Sequence, residues 1–198
     1  MDIELSNIGK KFNRNWIFRK IDFQIYSGDM VSITGHNGSG KSTLLQIISG
    51  FITPSEGNVH YAEDGEDLQT QFGFVAPYQN VIDEFTLLEH LEFHSRFKQP
   101  LMNYEEMIEL AGLEGSENKL VQEFSSGMKQ RLRLSLAFFY EANTIFLDEP
   151  TSNLDKSGEA WYQKLILANK GERTLIVASN QEFEIQEAKK NLFVENFK

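Results

Sequence analysis

Residues 35–42 read Gly-His-Asn-Gly-Ser-Gly-Lys-Ser and fill every fixed position of the phosphate-binding pattern G-x-x-x-x-G-K-[ST]. A short apolar, β-branched run, Met30–Thr34, precedes this loop, and residues 43–48 continue with a helical pattern. Strand, glycine-rich turn and helix start are the context that the motif requires. Glycines let the chain approach a phosphate closely, and the amides at the helix N-terminus face the anion. The sequence therefore predicts a P-loop on a strand–loop–helix unit.

Each residue of this loop has a predicted task at a bound nucleotide. Lys41 is expected to reach the β- and γ-phosphates, and the Ser42 hydroxyl is expected to bind Mg²⁺. The other predicted nucleotide-binding residues of the loop and first helical turn are Gly35, His36, Asn37, Gly38, Ser39, Gly40 and Thr43.

Composition excludes several classes of protein. The 198 residues include 29 acidic and 19 basic side chains, and the net charge of −10 argues against nucleic acid as a partner. The chain has no Cys, which excludes disulfides, thiolate metal sites and cysteine nucleophiles. The N-terminus lacks the pattern of a signal peptide, and no run approaches the roughly 18–20 apolar residues of a membrane span. We therefore expect a soluble chain that obtains any membrane spans from a partner.

Strand-like runs alternate with helical patterns, which predicts an α/β fold with a mostly parallel sheet core. The first runs are expected to form an N-terminal antiparallel β portion. The predicted strands are Ile3–Ile8, Ile21–Ile25, Met30–Thr34, Gly57–Tyr61, Gln71–Val75, Thr144–Leu147, Thr174–Ala178 and Asn191–Phe197.

The segment from about 80 to 140 contains helix signals and no strand signal. Thr86-x-x-Glu89 and Asn103-x-x-Glu106 have the spacing of capping boxes, and Ser125 precedes a third helical pattern. We therefore expect one domain over residues 1–198. Its core would span about 1–79 and 141–198, and a helical subdomain would be inserted at about 80–140.

A second motif, Thr-Ile-Phe-Leu-Asp-Glu at residues 144–149, is an apolar strand that ends in two carboxylates. It follows the P-loop by about a hundred residues, and P-loop enzymes place such a strand beside the phosphate site. Asp148 is predicted to complete the Mg²⁺ shell. Glu149 is predicted to act as general base or to orient the attacking water.

The order of these motifs resembles that of the ABC-type ATPases. Residues 124–128, Phe-Ser-Ser-Gly-Met, resemble the family signature Leu-Ser-Gly-Gly-Gln, with Ser126 in place of the first Gly. In that family, the positions of Ser125 and Gly127 reach the γ-phosphate of the opposite subunit. Residues 147–155, Leu-Asp-Glu-Pro-Thr-Ser-Asn-Leu-Asp, resemble the acidic strand and the D-loop, which links two nucleotide sites through the position of Asp155. The resemblance covers essentially the whole chain and implies ATP and Mg²⁺ as cofactors.

The family places an adenine-stacking aromatic upstream of the P-loop, at the position of Phe12. Trp16 and Phe18 are competing candidates for this contact, and each of the three can equally be a packed core residue.

Two positions depart from the family pattern. Asn180 follows the strand Thr174–Ala178 where the family usually has a His that contacts the γ-phosphate; an amide can donate a hydrogen bond but cannot carry charge. The family also has a Gln that touches Mg²⁺ at the end of the strand before the helical insert, and that position falls on Pro77. Either the loop bulges and presents Gln79 to the metal, or the contact is absent.

The resemblance implies the nucleotide-binding subunit of an ABC transporter. Two such subunits, identical or similar, would face head to tail around two ATP molecules. They would drive separate membrane-spanning partner chains from the cytoplasmic face of the cell membrane. The short chain, without a C-terminal regulatory extension, resembles compact haem-exporter ATPases. The alternatives are an ATP-binding regulatory module with little turnover, a soluble ABC protein, and a small P-loop kinase, which the D-loop disfavours.

Overall fold

The computed structural model describes residues 1–62, 68–169 and 171–198. In these ranges the strands are β1 (Ile3–Phe12), β2 (Asn15–Ile25), β3 (Met30–Thr34), β4 (Glu56–Tyr61), β5 (Phe72–Val75), β6 (Thr144–Asp148), β7 (Thr174–Ala178) and β8 (Lys190–Phe193). The helices are α1 (Lys41–Ile48), α2 (Leu87–His94), α3 (Tyr104–Ala111), α4 (Ser126–Phe138), α5 (Lys156–Asn169) and the short α6 (Glu182–Ile185).

Two sheets form the framework of the molecule. β2, β1 and β4 form an antiparallel sheet in that order, and β5, β6, β7, β3 and β8 form a five-stranded sheet in that order. The recorded strand pairs of the larger sheet are all parallel. The predicted α/β fold, with a mostly parallel core and an antiparallel N-terminal portion, is therefore confirmed.

The strands of the larger sheet are apolar on both faces. Ile145 and Leu147 of β6 pack into a cluster with residues of α2, α3, α4 and α5. Phe146, between them, packs on the opposite face with α1 and the antiparallel sheet. Because side chains alternate along a strand, helices cover one face of the sheet, and α1 with the antiparallel sheet covers the other. The strand ends remain free for polar residues.

Local capping signals in the sequence correspond to real helix starts. The Thr86 side chain accepts from Glu89 N, and the Glu89 carboxylate accepts in return from Thr86 N at 2.8 Å. Asn103 and Ser125 likewise accept from the N3 amides of α3 and α4. The segment predicted as a helical subdomain thus contributes three capped helices between β5 and β6. Its status as a separate subdomain stays a prediction.

The predicted strand Asn191–Phe197 is too long. β8 ends at Phe193, and a 3₁₀ turn follows at Val194–Phe197. Val194 stays buried in the core, whereas Glu195 turns away to contact His36 of the P-loop. A local sequence pattern cannot reveal this long-range contact.

No helix within the described ranges combines the length and the apolar composition of a bilayer-spanning segment.

Two histidines of α2 are packed in their neutral form. His90 Nε2 accepts a hydrogen bond from Ile82 N at 2.8 Å, which requires an unprotonated nitrogen. Burial lowers the pKa of His94 to about 4, and the nearby charge of Lys98 adds to this effect. A histidine with a depressed folded-state pKa stabilises the fold at neutral pH. That contribution is lost as the pH falls below about 6.5, the ordinary value.

Acid should therefore weaken the fold through His94. Between pH 7.5 and 4.5, we expect the free energy of unfolding of the native chain to fall by about 2–3 kcal/mol more than that of His94→Phe. Urea denaturation at both pH values measures the difference. The matched control is His60→Phe, because His60 is exposed on β4. If the free energy of unfolding falls equally with pH in the native chain and in His94→Phe, the role of His94 is contradicted.

Candidate nucleotide-binding and catalytic site

The P-loop is shaped by a glycine that leaves no room for a side chain. Gly40, the residue before α1, has φ of +108°. A Cβ atom at this position would lie 2.5 Å from Cγ2 of Ile17 and 3.1 Å from the buried ring of Phe18. The loop is therefore seated directly on β2, and α1 begins at Lys41 with the free amides of its first turn beside the loop.

Lys41 is buried under the loop that it is predicted to serve. Its Nζ donates to the carbonyl oxygens of Gly35 at 2.9 Å and His36 at 3.5 Å. Backbone carbonyls hold the ammonium group at the centre of the loop, where an incoming phosphate would meet it. Together with the helix N-terminus, this makes the loop an anion site.

The outer side of the loop is held by residues from the end of the chain. Glu195 Oε1 accepts from His36 N at 2.7 Å and lies 2.7 Å from His36 Nδ1. Lys198 Nζ donates to Ser39 O at 2.8 Å. The hydrogen bonds from His36, the amide first, lower the pKa of Glu195. Sequence reasoning missed both residues, because no motif links positions 159 apart in the chain.

Ser42 and Asp148 are brought together as the sequence predicts. Ser42 Oγ donates to Asp148 Oδ1 at 2.9 Å. Burial raises the pKa of Asp148 to about 6 and the charge of Glu149 adds to it, whereas the Ser42 hydroxyl and Lys41 act in the opposite direction. A buried carboxylate beside a hydroxyl is a hard-oxygen pair that suits Mg²⁺, which usually takes one or two carboxylates plus phosphate oxygens and waters. Within the described ranges, no group of three or more His, Asp or Glu could hold a metal by itself.

Glu149 and Asn180 face a common pocket of about 300 Å³, which Asn37 of the P-loop also lines. Glu149 has φ of +43°, an uncommon conformation for a residue with a side chain. Its amide donates to Ala178 O at 2.9 Å, which ties the turn after β6 to the end of β7. Asn180 Oδ1 accepts from Gly35 N at 3.2 Å. This bond orients the amide so that its NH₂ group is left to donate elsewhere.

The loop after β5 presents Tyr78 to the site. Gln46 Nε2 donates to the Tyr78 hydroxyl. The carbonyl oxygen of Gln79 accepts from Arg133 Nε at 2.8 Å, and its side chain shows no contact with Ser42 or Asp148 among the described hydrogen bonds. Burial raises the pKa of Tyr78, and the Asp148 charge adds to this shift. Sequence reasoning left open whether Gln79 reaches Mg²⁺ and did not consider Tyr78.

The three candidate aromatics differ in exposure. Phe18 is fully buried beneath the P-loop, so its ring cannot stack on a base. Phe12 is 49% exposed and Trp16 is 38% exposed. The Arg19 guanidinium lies 4.1 Å from the Trp16 ring centre, whereas Lys10 lies 5.2 Å from that of Phe12. Phe12 and Trp16 therefore remain as candidates, and Phe12 has the less covered ring.

The signature and D-loop residues have local structural tasks. Ser125 Oγ caps α4 by accepting from Met128 N at 3.2 Å, and Ser126 beside it is exposed. Gly127 lies against the D-loop, because a Cβ on it would be 3.4 Å from Asn153 O. Asp155 Oδ1 accepts from Gly158 N at 2.8 Å and so caps α5. Any task of these residues at a partner's nucleotide is additional to capping.

One residue of α4 that the sequence did not mark joins this helix to the acidic strand. Gln130 is fully buried, and its Nε2 donates to Pro150 O at 2.6 Å. Its Oε1 accepts from Arg133 at 3.0 Å. The helix that carries the signature is thereby fixed to the turn that carries Glu149.

Alanine substitution should separate backbone strain from collision in the P-loop. Gly40→Ala should lower the free energy of unfolding and the affinity for ATP, because its methyl group meets Ile17. Gly38→Ala is the matched control: Gly38 has φ of +83°, but a Cβ there meets no atom within 4 Å. We expect the control to lose about 1–3 kcal/mol through strain alone, and Gly40→Ala to lose at least 1 kcal/mol more. Urea denaturation measures both, and equal losses would exclude the collision.

Comparisons with known proteins agree with this geometry. A family model described as ABC transporter matches residues 18–152. An uncharacterized ABC transporter ATP-binding protein of Bacillus subtilis, YybJ, is 31% identical over 92% of this chain and 87% of its own length. Mouse ATP-binding cassette sub-family A member 17 is 30% identical over 90% of this chain. This chain spans only 11% of the length of that relative.

Solved structures share the whole fold. A putative ABC transporter ATP-binding protein from Pyrococcus furiosus superposes with a TM-score of 0.85 over 100% of this chain and 99% of its own, at 21% identity. The cassette MJ0796, solved as a dimer in a post-hydrolysis state with ADP and Pi, gives a TM-score of 0.82 at 25% identity, covering 96% of this chain and 93% of its own. The chain therefore belongs to the ABC transporter family, and its fold is that of the family's ATP-binding cassettes.

Proposed function

We propose that this chain hydrolyses ATP with the help of Mg²⁺ and that it powers an ABC transporter. The observation that carries the proposal is the convergence of two carboxylates on the P-loop. Asp148 is bonded to Ser42, and Glu149 lines the pocket that Asn37 and Asn180 share. A P-loop alone would serve any nucleotide-binding protein, whereas a second carboxylate beside the phosphate site suits activation of water.

Each side chain has a distinct part in this reaction. Lys41 and the amides of residues 37, 38 and 40–43 would bind the β- and γ-phosphates, because the amides of Gly35, His36 and Ser39 already donate within the protein. Ser42 and Asp148 would hold Mg²⁺. When bound, the metal would neutralise charge that develops on the phosphate oxygens. Glu149 accepts the proton of the attacking water or orients that water in line with the γ-phosphate. Asn180, held by Gly35, donates its amide hydrogens to a γ-phosphate oxygen.

Two copies of the chain, or one copy and a similar cassette, would enclose the nucleotides head to tail. Ser125, Ser126 and Gly127 of one subunit would meet the γ-phosphate bound by its partner, and Asp155 would link the two sites. Exposure of Ser125 and Ser126 at the start of α4 supports this proposal. So do the dimeric structures of the MJ0796 cassette, described as a bacterial ABC transporter cassette.

The closing and opening of this dimer would drive membrane-spanning partner chains, with the cassette on the cytoplasmic face of the cell membrane. The names of the relatives, which include a Sulfate/thiosulfate import ATP-binding protein of Rhizobium meliloti, support a transport role. The haem-exporter subtype stays a prediction. A regulatory module that binds ATP with little turnover is the second candidate, and the uncharged amide of Asn180 favours it.

Removal of the proposed base should stop turnover without weakening binding. We expect Glu149→Gln to bind ATP normally, to lose at least 100-fold in kcat, and to accumulate as a dimer with ATP and Mg²⁺. Steady-state phosphate release and size-exclusion chromatography measure these effects. Glu159→Gln is the control, because Glu159 lines the same pocket and its substitution removes the same charge. Hydrolysis by Glu149→Gln at the native rate would refute the assignment of the base.

Asn180 should act through its NH₂ group. Asn180→Asp keeps an oxygen for Gly35 N but replaces the donor by a negative charge, so we expect kcat to fall at least tenfold. Asn180→Ala loses a hydrogen bond to a charged group worth roughly 1.5–3 kcal/mol, about tenfold or more in rate. Asn180→His should match or exceed the native rate. The three kcat values are compared at saturating ATP, and native turnover in Asn180→Asp would exclude the proposed donor.

A further inference from the structure

Glu184 is a buried carboxylate that no step of the proposed reaction uses. It lies on α6, is only 2% exposed, and lines the same pocket as Glu149 and Asn180. Its Oε1 accepts hydrogen bonds from the amide of Thr151 at 2.9 Å and from the Thr151 hydroxyl. Its Oε2 has no hydrogen-bond partner among the described residues. A carboxyl group is costly to bury, so an apolar side chain would serve better at this position if packing were the only need.

The contact with Thr151 joins two segments that each carry a residue of the candidate site. Thr151 follows Glu149 by two positions in the turn after β6, and Glu184 follows Asn180 by four positions after β7. The turn is compact, because Ser152 N donates to Glu149 O at 3.1 Å. Thr151 is enclosed in this turn, so a displacement of Thr151 would move Glu149 as well.

Other hydrogen bonds do not replace this connection. β6 and β7 pair in parallel, and the last backbone bond between them runs from Glu149 N to Ala178 O at 2.9 Å. Beyond that bond, in the part of the chain that the structure describes, the two segments are joined by hydrogen bonds only between Glu184 and Thr151. This contact therefore sets the spacing of the two segments where the sheet has ended.

The segment that carries Glu184 is itself anchored on β3, the strand that leads into the P-loop. Ser179 N donates to Ile33 O at 3.1 Å. Gln181 N donates to Ser179 Oγ at 2.9 Å, and Glu184 N donates to Gln181 O at 3.0 Å. The carboxyl group of Glu184 is therefore held by a backbone that is fixed to the phosphate-binding strand.

We propose that Glu184 is a positioning residue for Glu149. Its carboxyl oxygen holds Thr151 and so keeps the turn of Glu149 beside the segment of Asn180, with both side chains facing one pocket. The inference deepens the proposed function and rests on it, because it takes Glu149 to act on the attacking water. Misplacement of a catalytic group by about 1 Å can lower the rate about 100-fold.

Glu184→Ala and Glu184→Gln test the proposal together. The first removes the acceptor, whereas the second keeps an oxygen for Thr151. Burial raises the pKa of Glu184, which favours the neutral form that Gln imitates. We expect Glu184→Ala to lose about tenfold or more in kcat at saturating ATP, with an affinity for a fluorescent ATP analogue within about twofold of the native value. Glu184→Gln should keep about half or more of the native kcat.

Three results of these measurements would overturn the proposal. The first is native kcat in Glu184→Ala, and the second is an equal loss of kcat in the Ala and Gln variants. The third is a loss of ATP affinity in parallel with kcat, which indicates a structural role. Glu182→Ala is the control, because Glu182 lies exposed on the same short helix, and its kcat should stay native.

Hydrogen exchange of the nucleotide-free chain measures the positioning without reference to turnover. The amides of residues 149–154 should exchange about tenfold faster in Glu184→Ala than in the native chain, because Thr151 N loses its acceptor. Glu184→Gln should keep the native protection. Unchanged exchange in Glu184→Ala would overturn the inference.

Thr151→Val is a milder variant that removes only the hydroxyl and keeps the bond from the Thr151 amide. Its kcat should fall about two- to tenfold. The double variant with Glu184→Ala should be no worse than Glu184→Ala alone. Native kcat in Thr151→Val would contradict the proposal even if Glu184→Ala does not fold, and additive losses would show that the two residues act separately.

Failure of the inference is distinguishable from failure of the proposed function. A native chain that binds ATP but releases no phosphate refutes the proposed function, and with it the part of Glu184 in turnover. The exchange experiment still reports on the contact with Thr151 in that case. A native chain that hydrolyses ATP and a Glu184→Ala variant with native kcat refute only the role of Glu184.

Discussion

The hydrogen bond between Ser42 and Asp148 is the contact on which the rest of the site depends. It joins residues 106 apart in the chain, one at the start of α1 and the other at the end of β6. β7 lies between the strand that leads into the P-loop and the strand that ends in the carboxylates. Because these strands are parallel, their carboxyl ends meet at one edge, where ligands bind in open α/β sheets. The polar residues of the site are grouped there, while both faces of the sheet stay apolar.

The turn after β6 illustrates how the fold constrains the chemistry. Glu149 adopts a left-handed backbone conformation, which costs free energy that the surrounding structure must supply. Two hydrogen bonds hold the turn on both sides. The Glu149 amide donates to the carbonyl oxygen of Ala178, and the buried Gln130 side chain donates to that of Pro150. The backbone of the turn and its contact with α4 therefore set the position of the carboxylate that is proposed to activate water. A displacement of α4 would move Glu149 as well.

Sequence reasoning recovered the parts of the molecule whose signals are local. The P-loop pattern, the apolar strand before Asp148, and the caps Thr86, Asn103 and Ser125 all depend on residues near one another in the chain. The same reasoning ended β8 too late and left open whether Gln79 reaches Mg²⁺ or the contact is absent. Tyr78, Gln130 and Glu195 were missed because each acts through one long-range contact, and a lone tyrosine, glutamine or glutamate carries no pattern. Whether Phe12 or Trp16 meets the base is likewise a question of side-chain exposure, which periodicity does not encode.

Glu195 and Lys198 hold the P-loop through hydrogen bonds, and this affects the entropy change on nucleotide binding. A glycine-rich loop has many accessible backbone conformations, and ordering it on a ligand would subtract from the affinity. Here His36 and Ser39 form hydrogen bonds with side chains from the end of the chain, and Lys41 donates to the loop carbonyl oxygens. Much of the ordering cost is thus met during folding, so the loop can receive a phosphate with little rearrangement of its own.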